Sequence, residues 1–138
     1  MTDDAHAEAI LDLLRAVTGS PAALVVHDGA VPQGLLPPYV VVYFADADPV
    51  DSTSTHLTHQ ARRHVTDAYV HCVGANGQAA RTVGGRVRGA LLGVTPTIAG
   101  RRCYPIRRTD GQPATRDETT GRVVMDKVDI YRLSSIPA

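Results

Sequence analysis

The sequence lacks the short motifs on which most enzyme assignments rest. It has no GxSxG nucleophile elbow, no GxGxxG dinucleotide fingerprint and no GxxxxGK[ST] phosphate loop. Its two cysteines, Cys72 and Cys103, are isolated and form no CxxC pair. No apolar run approaches the ~20 residues that a transmembrane helix needs. We therefore expect a protein without a catalytic centre, without a cofactor and without a membrane span.

The start of the sequence has none of the features of a secretory signal peptide. We therefore expect a soluble protein made in a reducing cytoplasm, with two buried free thiols. A length of 138 residues fits one domain, residues 1–138. The hydrophobic fraction of 43% is typical of an ordinary globular protein and argues against a disordered chain.

Acidic residues are missing from one long stretch, although the whole chain is neutral, with 14 basic and 14 acidic residues. No Asp or Glu occurs between Asp67 and Asp110. That stretch contains the arginines Arg81, Arg86, Arg88, Arg101, Arg102, Arg107 and Arg108. Such a chain is dipolar when folded, which suits head-to-tail contact between copies or an anionic ligand. A merely solvated basic face would leave the same pattern.

Two segments have the periodicity of amphipathic helices. In the first, within residues 5–17, the apolar stripe consists of Ala7, Ile10, Leu11, Leu14 and Val17. The second runs from the plausible N-cap Asn76 to about Leu92, and its core stripe consists of Ala80, Val83, Val87, Ala90 and Leu91. Arg81 and Arg88 are seven residues apart and share another face of this helix.

Glycines interrupt the second helix at Gly84, Gly85 and Gly89. Each costs about 1 kcal/mol relative to alanine. We therefore expect packing to hold this helix, and the glycines to let a sheet or a neighbouring helix approach closely.

Five segments read as strands: 23–27, 39–44, 64–73, 101–108 and 122–133. Segment 39–44 is apolar on both faces, so its own domain or a partner must cover both. In segment 64–73, Val70 and Cys72 alternate with Tyr69 and His71, which gives one apolar and one amphipathic face. In segment 122–133, Val124, Val128 and Ile130 share a face that Asp126 interrupts.

The segments between these strands read as loops, namely 28–38, 45–58 and 109–121. Pro105, inside segment 101–108, suggests an edge strand or a bulge. The order of elements is then α-β-β-β-α-β-β. This order predicts the α+β class, with a mostly antiparallel sheet flanked by two helices.

Four histidines, His56, His59, His64 and His71, offer the most plausible metal ligands in the chain. His56 and His59 end a polar loop, and no cysteine or acid stands at suitable spacing, so we expect no metal site. His71 and Cys72 point to opposite faces of a strand, so His71 cannot activate that thiol. The turn 74–77 between strand and helix lacks a phosphate-binding pattern.

Sequence-specific nucleic-acid binding also has little support. Nucleic-acid readers usually combine basic residues with aromatic side chains for stacking, or with a helix-turn-helix. Only Tyr104 is interleaved with the arginines between Arg81 and Arg108. Passive contact with phosphates is compatible with this composition.

Several stretches resemble one known family. They are VPQG at 31–34 followed by PPYVVV at 37–42, VRGALLG at 87–93, and the closing strand 124–133 with its alternating Val, Asp and Tyr. In these stretches the chain resembles the tail-terminator (tail-completion) proteins of long-tailed bacteriophages. The resemblance spans nearly the whole sequence.

The resemblance implies a structural role in the neck of the virion tail, reached after assembly in the host cytoplasm. A ring, hexameric in the family, caps the head-proximal end of the tail tube, ends polymerisation and offers the docking surface for the head connector. Its partners would be its own copies, the tube protein and the connector, while genomic DNA passes through without sequence-specific binding. A head-tail connector adaptor or stopper and a small binding module with a basic surface are the alternatives.

Six of the seven arginines of the acid-free stretch are the candidate subunit-interface residues: Arg81, Arg88, Arg101, Arg102, Arg107 and Arg108. Acids of a neighbouring subunit, such as Asp46, Asp48 and Asp51, would be their partners. No catalytic, cofactor-binding or metal-binding residue is predicted.

Overall fold

Two helices and seven strands form the part of the chain that the computed structural model describes, residues 2–19, 23–47 and 63–138. In chain order they are α1 (Thr2–Arg15), β1 (Val26–Asp28), β2 (Tyr39–Ala47), β3 (His64–Gly74), α2 (Gly77–Leu91), β4 (Arg101–Cys103), β5 (Arg107–Gly111), β6 (Thr115–Asp117) and β7 (Val124–Pro137). In these described ranges no helix has both the length and the apolarity to cross a bilayer.

The strands form one sheet in the order β1-β2-β3-β7-β4, with β5 and β6 also paired to β7. Strand β1 runs parallel to β2, whereas all the other pairs are antiparallel. The α+β class is confirmed, but the sheet is mixed, and the predicted order with five strands is wrong. Strands β1 and β2 run parallel because the proline-containing loop between them carries the chain back to the end of the sheet at which β1 begins.

The largest difference from the predicted strands lies along the outer edge of β7. Strands β4, β5 and β6 follow one another along this edge, paired with residues 135–137, 129–132 and 124–126 of β7. Pro105 and Pro113 lie in the two breaks, where proline has no N–H for the ladder. At the first break Ile106 pairs instead with Val94, through a 2.8 Å bond from its N–H to the carbonyl oxygen.

Helix α2 begins where the sequence indicates. The Asn76 side chain accepts a 2.8 Å hydrogen bond from the Ala79 N–H, as expected of an N-cap. Among the three helix glycines, Gly84 is buried, and a Cβ there would lie 3.5 Å from the Lys127 side chain. Gly85 and Gly89 are exposed. A Cβ at Gly84 would therefore make an ordinary contact, and the predicted close approach at the helix glycines stays a prediction.

Both helices pack on the same face of the sheet, here called the helix-covered face. Ile10 and Leu14 of α1 and Val83 and Val87 of α2 are buried there. The strand residues that they meet are Val40, Val42, Ala68, Val70, Cys72, Tyr131 and Leu133. The alternation in β3 thus places Cys72 inward, as predicted.

The opposite side of the sheet, here called the open sheet face, carries no helix in the described part of the chain. Tyr39 and Val41 of β2 are buried on this side, at the end where Val31 and Leu35 pack over them. Tyr43 on the same strand is 45% exposed. Strand β2 is therefore covered on both faces only over its first half.

Candidate interaction surfaces

The six candidate interface arginines fall into two groups. Arg101 donates to the Ser135 hydroxyl at 3.0 Å and to its carbonyl at 2.9 Å. Arg108 donates to Asp129 at 2.8 Å. These two guanidiniums already have partners in their own chain. The others are exposed: Arg81, Arg88, Arg102 and Arg107.

Asp129 is the centre of a polar cluster on the helix-covered face, where it is only 2% exposed. Both of its oxygens lie 2.8 Å from the Lys127 ammonium, and Arg108 donates to the same carboxylate. These bonds raise the pKa of the Arg108 guanidinium. Two cations around one buried carboxylate leave no acceptor unmatched, which is the condition for burying charge without a large penalty.

The outer sides of the two helices carry opposite charges, and we call them together the outer helix surface. On α1, Asp4, Glu8 and Asp12 recur every four residues, and all three are exposed. On α2, Arg81 and Arg88 are exposed, and so are Gly85 and Gly89, where an added Cβ would meet nothing within 4 Å. Leu92 follows and is 41% exposed.

The middle of the open sheet face is a row of large side chains on three adjacent strands. Tyr43, Tyr69 and Ile130 are direct neighbours in the β2–β3 and β3–β7 registers. Tyr43 is 45% exposed and Tyr69 is 37% exposed. The Tyr43 ring meets the His71 ring edge-on, with 5.2 Å between the centroids.

One end of the open sheet face is basic. Arg132 donates to both oxygens of Asp67, at 2.8 and 3.0 Å, and these bonds raise the pKa of the guanidinium. Arg63 lies 4.9 Å from the centre of the Tyr104 ring, a cation–π contact. A cavity of about 500 Å³ at this end is lined by Arg63, Tyr104, Arg107 and Arg132, among other residues.

The other end of the open sheet face is acidic. Asp117, Asp126, Thr120 and Tyr39 are among the residues that line a cavity of about 370 Å³ there. Asp126 Oδ2 lies 2.8 Å from His71 Nδ1, whereas its Oδ1 is buried and has no hydrogen-bond donor among the described residues. Burial raises the pKa of Tyr39 in the same place.

The geometry of the cysteines gives no support for nucleophilic chemistry. Cys72 faces the helices while His71 faces the open side, as the strand alternation predicts. Burial raises the pKa of the Cys72 thiol from 9.0 to about 12, which disfavours the reactive thiolate. Cys103 is only half-buried, so the expectation of two buried thiols is wrong for this one.

The metal expectation remains a prediction. Two of the candidate ligands, His56 and His59, lie outside the described residues. Asp48 and Asp51, two of the predicted acidic partners of the arginines, also lie outside them. His64 Nε2 is 3.7 Å from Asp46, which is exposed at the end of β2. Residues 2–19, 23–47 and 63–138 contain no group of three or more His, Cys, Asp or Glu that could hold a metal ion.

Sequence reasoning did not single out the open sheet face. Its tyrosines come from different strands, so only the register brings Tyr43, Tyr69 and Ile130 into one row. One signal was present. Asp126 interrupts the row of apolar residues on one face of the last strand. An acid at such a position indicates that this face is not fully buried in a hydrophobic core.

Comparisons with known proteins identify one family and two chains of similar fold. The family model described as "Tail completion protein gp17" matches residues 8–129. A chain in a solved structure of the virion of a native gene transfer agent (GTA) particle superposes with a TM-score of 0.67 at 22% identity, over 95% of this chain and 93% of that one. A second solved structure, which carries no functional description, gives a TM-score of 0.59 at 17% identity, over 100% and 96% of the two chains.

At these identities the two structures establish a shared fold and no more. A search of curated protein sequences gave no match. The family match covers most of the sequence. The chain therefore belongs to the tail completion protein gp17 family, and it is a structural, non-enzymatic protein of the phage virion tail.

Proposed function

We propose that this chain assembles as a closed ring of six copies at the head-proximal end of the tail tube. There it ends tube polymerisation and provides the docking surface for the head. The family match over residues 8–129 supports a role in completing the tail. The observation that carries the ring is the outer helix surface, whose two helices present opposite charges.

A ring needs a heterologous contact, in which one patch of a subunit binds a different patch of the next. The acidic side of α1, with Asp4, Glu8 and Asp12, is such a patch, and the basic side of α2 is its complement. Gly85 and Gly89 of α2 have no side chain, and nothing lies within 4 Å of the place where a Cβ would stand. A helix of the neighbouring subunit can therefore approach the α2 backbone closely.

Exposed ion pairs contribute only about 0.2–1 kcal/mol each. In this ring Arg81 and Arg88 therefore fix the register between subunits, while affinity comes from close packing at the glycines and from Leu92, which is 41% exposed. The ring then binds the tube protein on one side and the head connector on the other. Genomic DNA passes through it without sequence-specific contact.

Charge reversal on matched helices tests the ring. One variant carries Arg81→Glu and Arg88→Glu, and the other carries Glu8→Arg and Asp12→Arg. We expect each variant alone to fold but not to assemble, by analytical ultracentrifugation and negative-stain microscopy with and without tail tubes. An equimolar mixture should assemble, because alternating subunits restore attraction at every contact. Arg116→Glu, at an exposed position on β6, is the control and should assemble normally.

The outcomes separate the alternatives. A wild-type protein that stays monomeric and ignores tail tubes would refute the ring. If Asp46→Arg rescues the α2 variant while the α1 variant does not, the acidic partner lies at the end of β2. Binding to purified connector but not to tubes would indicate a connector adaptor. Tight DNA binding that falls steeply with salt, with normal assembly of the Glu variant, would assign Arg81 and Arg88 to DNA.

A further inference from the structure

The open sheet face is aromatic in the middle and oppositely charged at its two ends. Both helices lie on the other side of the sheet, and no described residue packs over Tyr43 and Tyr69. Contiguous exposed aromatic and aliphatic side chains with a polar border are typical of protein interaction sites. The face therefore has the composition of an interface.

Each end of this face contains a charged group whose interactions are incomplete. Arg107 lies directly across from Arg132 in the β5–β7 register, and Asp67 already engages Arg132 through two hydrogen bonds. No acid of the described residues lies within ion-pair distance of Arg107. At the other end, the Asp126 side chain is 14% exposed, lines the cavity of about 370 Å³ and has only His71 as a partner among the described residues. A guanidinium that enters this cavity would add a charge-assisted hydrogen bond to the carboxylate.

We propose that a second copy of this chain covers the open sheet face in solution, forming a two-fold symmetric pair. The two-fold axis lies in the contact plane and runs perpendicular to the strands, so the strands of the two copies run in opposite directions. The basic end of one copy then faces the acidic end of the other, and Arg107 of one copy reaches Asp126 of the second copy. Each contact occurs twice, as in any isologous interface.

The strand registers agree with this arrangement. Arg107 is level with Asp67 of β3, and Asp126 is level with Val73. The axis falls midway between those levels, between Tyr69 and His71. Each Tyr69 ring then lies over His71 of the second copy, and each Ile130 over Val128. The apolar row is covered by apolar and aromatic side chains while the charged ends pair with opposite charges.

The size of the face sets the expected strength. The part of the open sheet face that is not covered by Val31 and Leu35 is small, so we expect a weak, reversible complex with a dissociation constant on the order of micromolar. This contact closes at two copies and uses a different surface from the proposed ring, on which it does not depend.

A double-mutant cycle followed by sedimentation equilibrium tests the charge pair. Arg107→Ala and Asp126→Asn should each weaken dimerisation about tenfold or more. The double variant should be no weaker than either single variant, since both remove the same pair. Arg116→Ala is the matched control, because Arg116 is also exposed and its partner Glu118 belongs to its own chain. Strictly additive effects, or a wild type that is monomeric up to millimolar concentration, would overturn the proposal.

A cross-linking experiment tests the two-fold axis without relying on the charge variants. Val128→Cys in a Cys103→Ser background places one thiol next to the axis. A short bismaleimide should join it to the same position of a second copy and stop at the dimer. Gln78→Cys, on the exposed side of α2, should not cross-link. A ladder beyond the dimer, or equal cross-linking at both positions, would contradict the axis. Circular dichroism melts verify that each variant is folded.

Discussion

Strand β7 contributes one carboxylate to each face of the sheet, and the two carboxylates have different surroundings. On the helix-covered face, Asp129 is 2% exposed and receives hydrogen bonds from both Lys127 and Arg108. On the open sheet face, Asp126 meets only His71 and leaves its other oxygen without a donor among the described residues. The first arrangement is complete within the chain, whereas the second is incomplete among the described residues.

The same contrast holds for the apolar side chains of β3. Val70 is fully buried on the helix-covered face, while its neighbour Tyr69 is 37% exposed on the open one. Groups whose interactions are satisfied inside the chain stabilise the fold. Groups left unsatisfied or exposed are available for assembly, so the two faces should respond differently to substitution.

The largest expected difference concerns the two carboxylates. Asp129→Ala leaves Arg108 and Lys127 without their buried counter-charge, and we expect a loss of about 3–5 kcal/mol in the free energy of unfolding. Asp126→Ala on the open face should change it by less than about 1 kcal/mol, because one hydrogen bond is lost while an unsatisfied acceptor is removed. Urea unfolding measures both. Equal losses would mean that the two faces contribute alike to stability.

Truncation of neighbouring side chains on β3 should give a smaller difference of the same kind. Val70→Ala opens space in the core and should cost about 2–3 kcal/mol. Tyr69→Ala should cost about 1 kcal/mol or less, since the ring is partly exposed. The same unfolding experiment at low protein concentration, where copies are dissociated, makes the comparison. A larger loss at Tyr69 would indicate that this ring is part of the folding core.

Alkaline pH should lower the stability of the protein in part through the buried Cys72 thiol on the helix-covered face. Burial raises the pKa of Cys72 from 9.0 to about 12, so the unfolded chain loses this proton first. Its contribution to stability is complete below pH 9 and is lost as the pH rises through 12, on the order of 2–3 kcal/mol by pH 11. Cys72→Ala should therefore show a shallower decline in stability between pH 8 and 11. Cys103→Ala, at the half-buried thiol, should keep most of the slope.

The smallest effect is expected at the two histidines of the predicted loop. Replacing His56 and His59 together with alanine should change stability by less than about 0.5 kcal/mol, as the sequence predicts for loop residues. A chelator should likewise leave the melting temperature unchanged. Stoichiometric zinc in the purified protein, lost in the double variant together with a large fall in melting temperature, would reverse this expectation.

Local features of the fold were predictable because short-range chemistry determines them. The helical spacing of Ile10, Leu11 and Leu14 places these residues in the core, and the Asn76 cap starts α2. The alternation of β3 assigns Cys72 and His71 to opposite faces. The two helix features depend on residues within one or two turns of each other, and the strand feature depends on the alternation of side chains along a single strand.

Long-range pairing was not predictable in the same way. The sequence indicates one strand at 101–108 and a loop after it, yet β7 pairs with this region in three separate pieces. The partners of the arginines depend on that register, since Arg108 meets Asp129 and Arg132 meets Asp67 across 21 and 65 residues. A list of arginines alone cannot distinguish those paired inside the chain from those that are free to bind.

The central position of β7 has a consequence for the order in which the sheet is completed during synthesis. Strand β3 ends at residue 74, but its second neighbour is made only when residues 124–137 have been added. At 5–20 residues per second, this interval lasts about 3–13 s. Throughout that time the long, largely apolar edge of β3 has no strand beside it, and such edges promote aggregation. The nascent chain therefore spends several seconds with an unpaired edge of β3 that can pair with other chains.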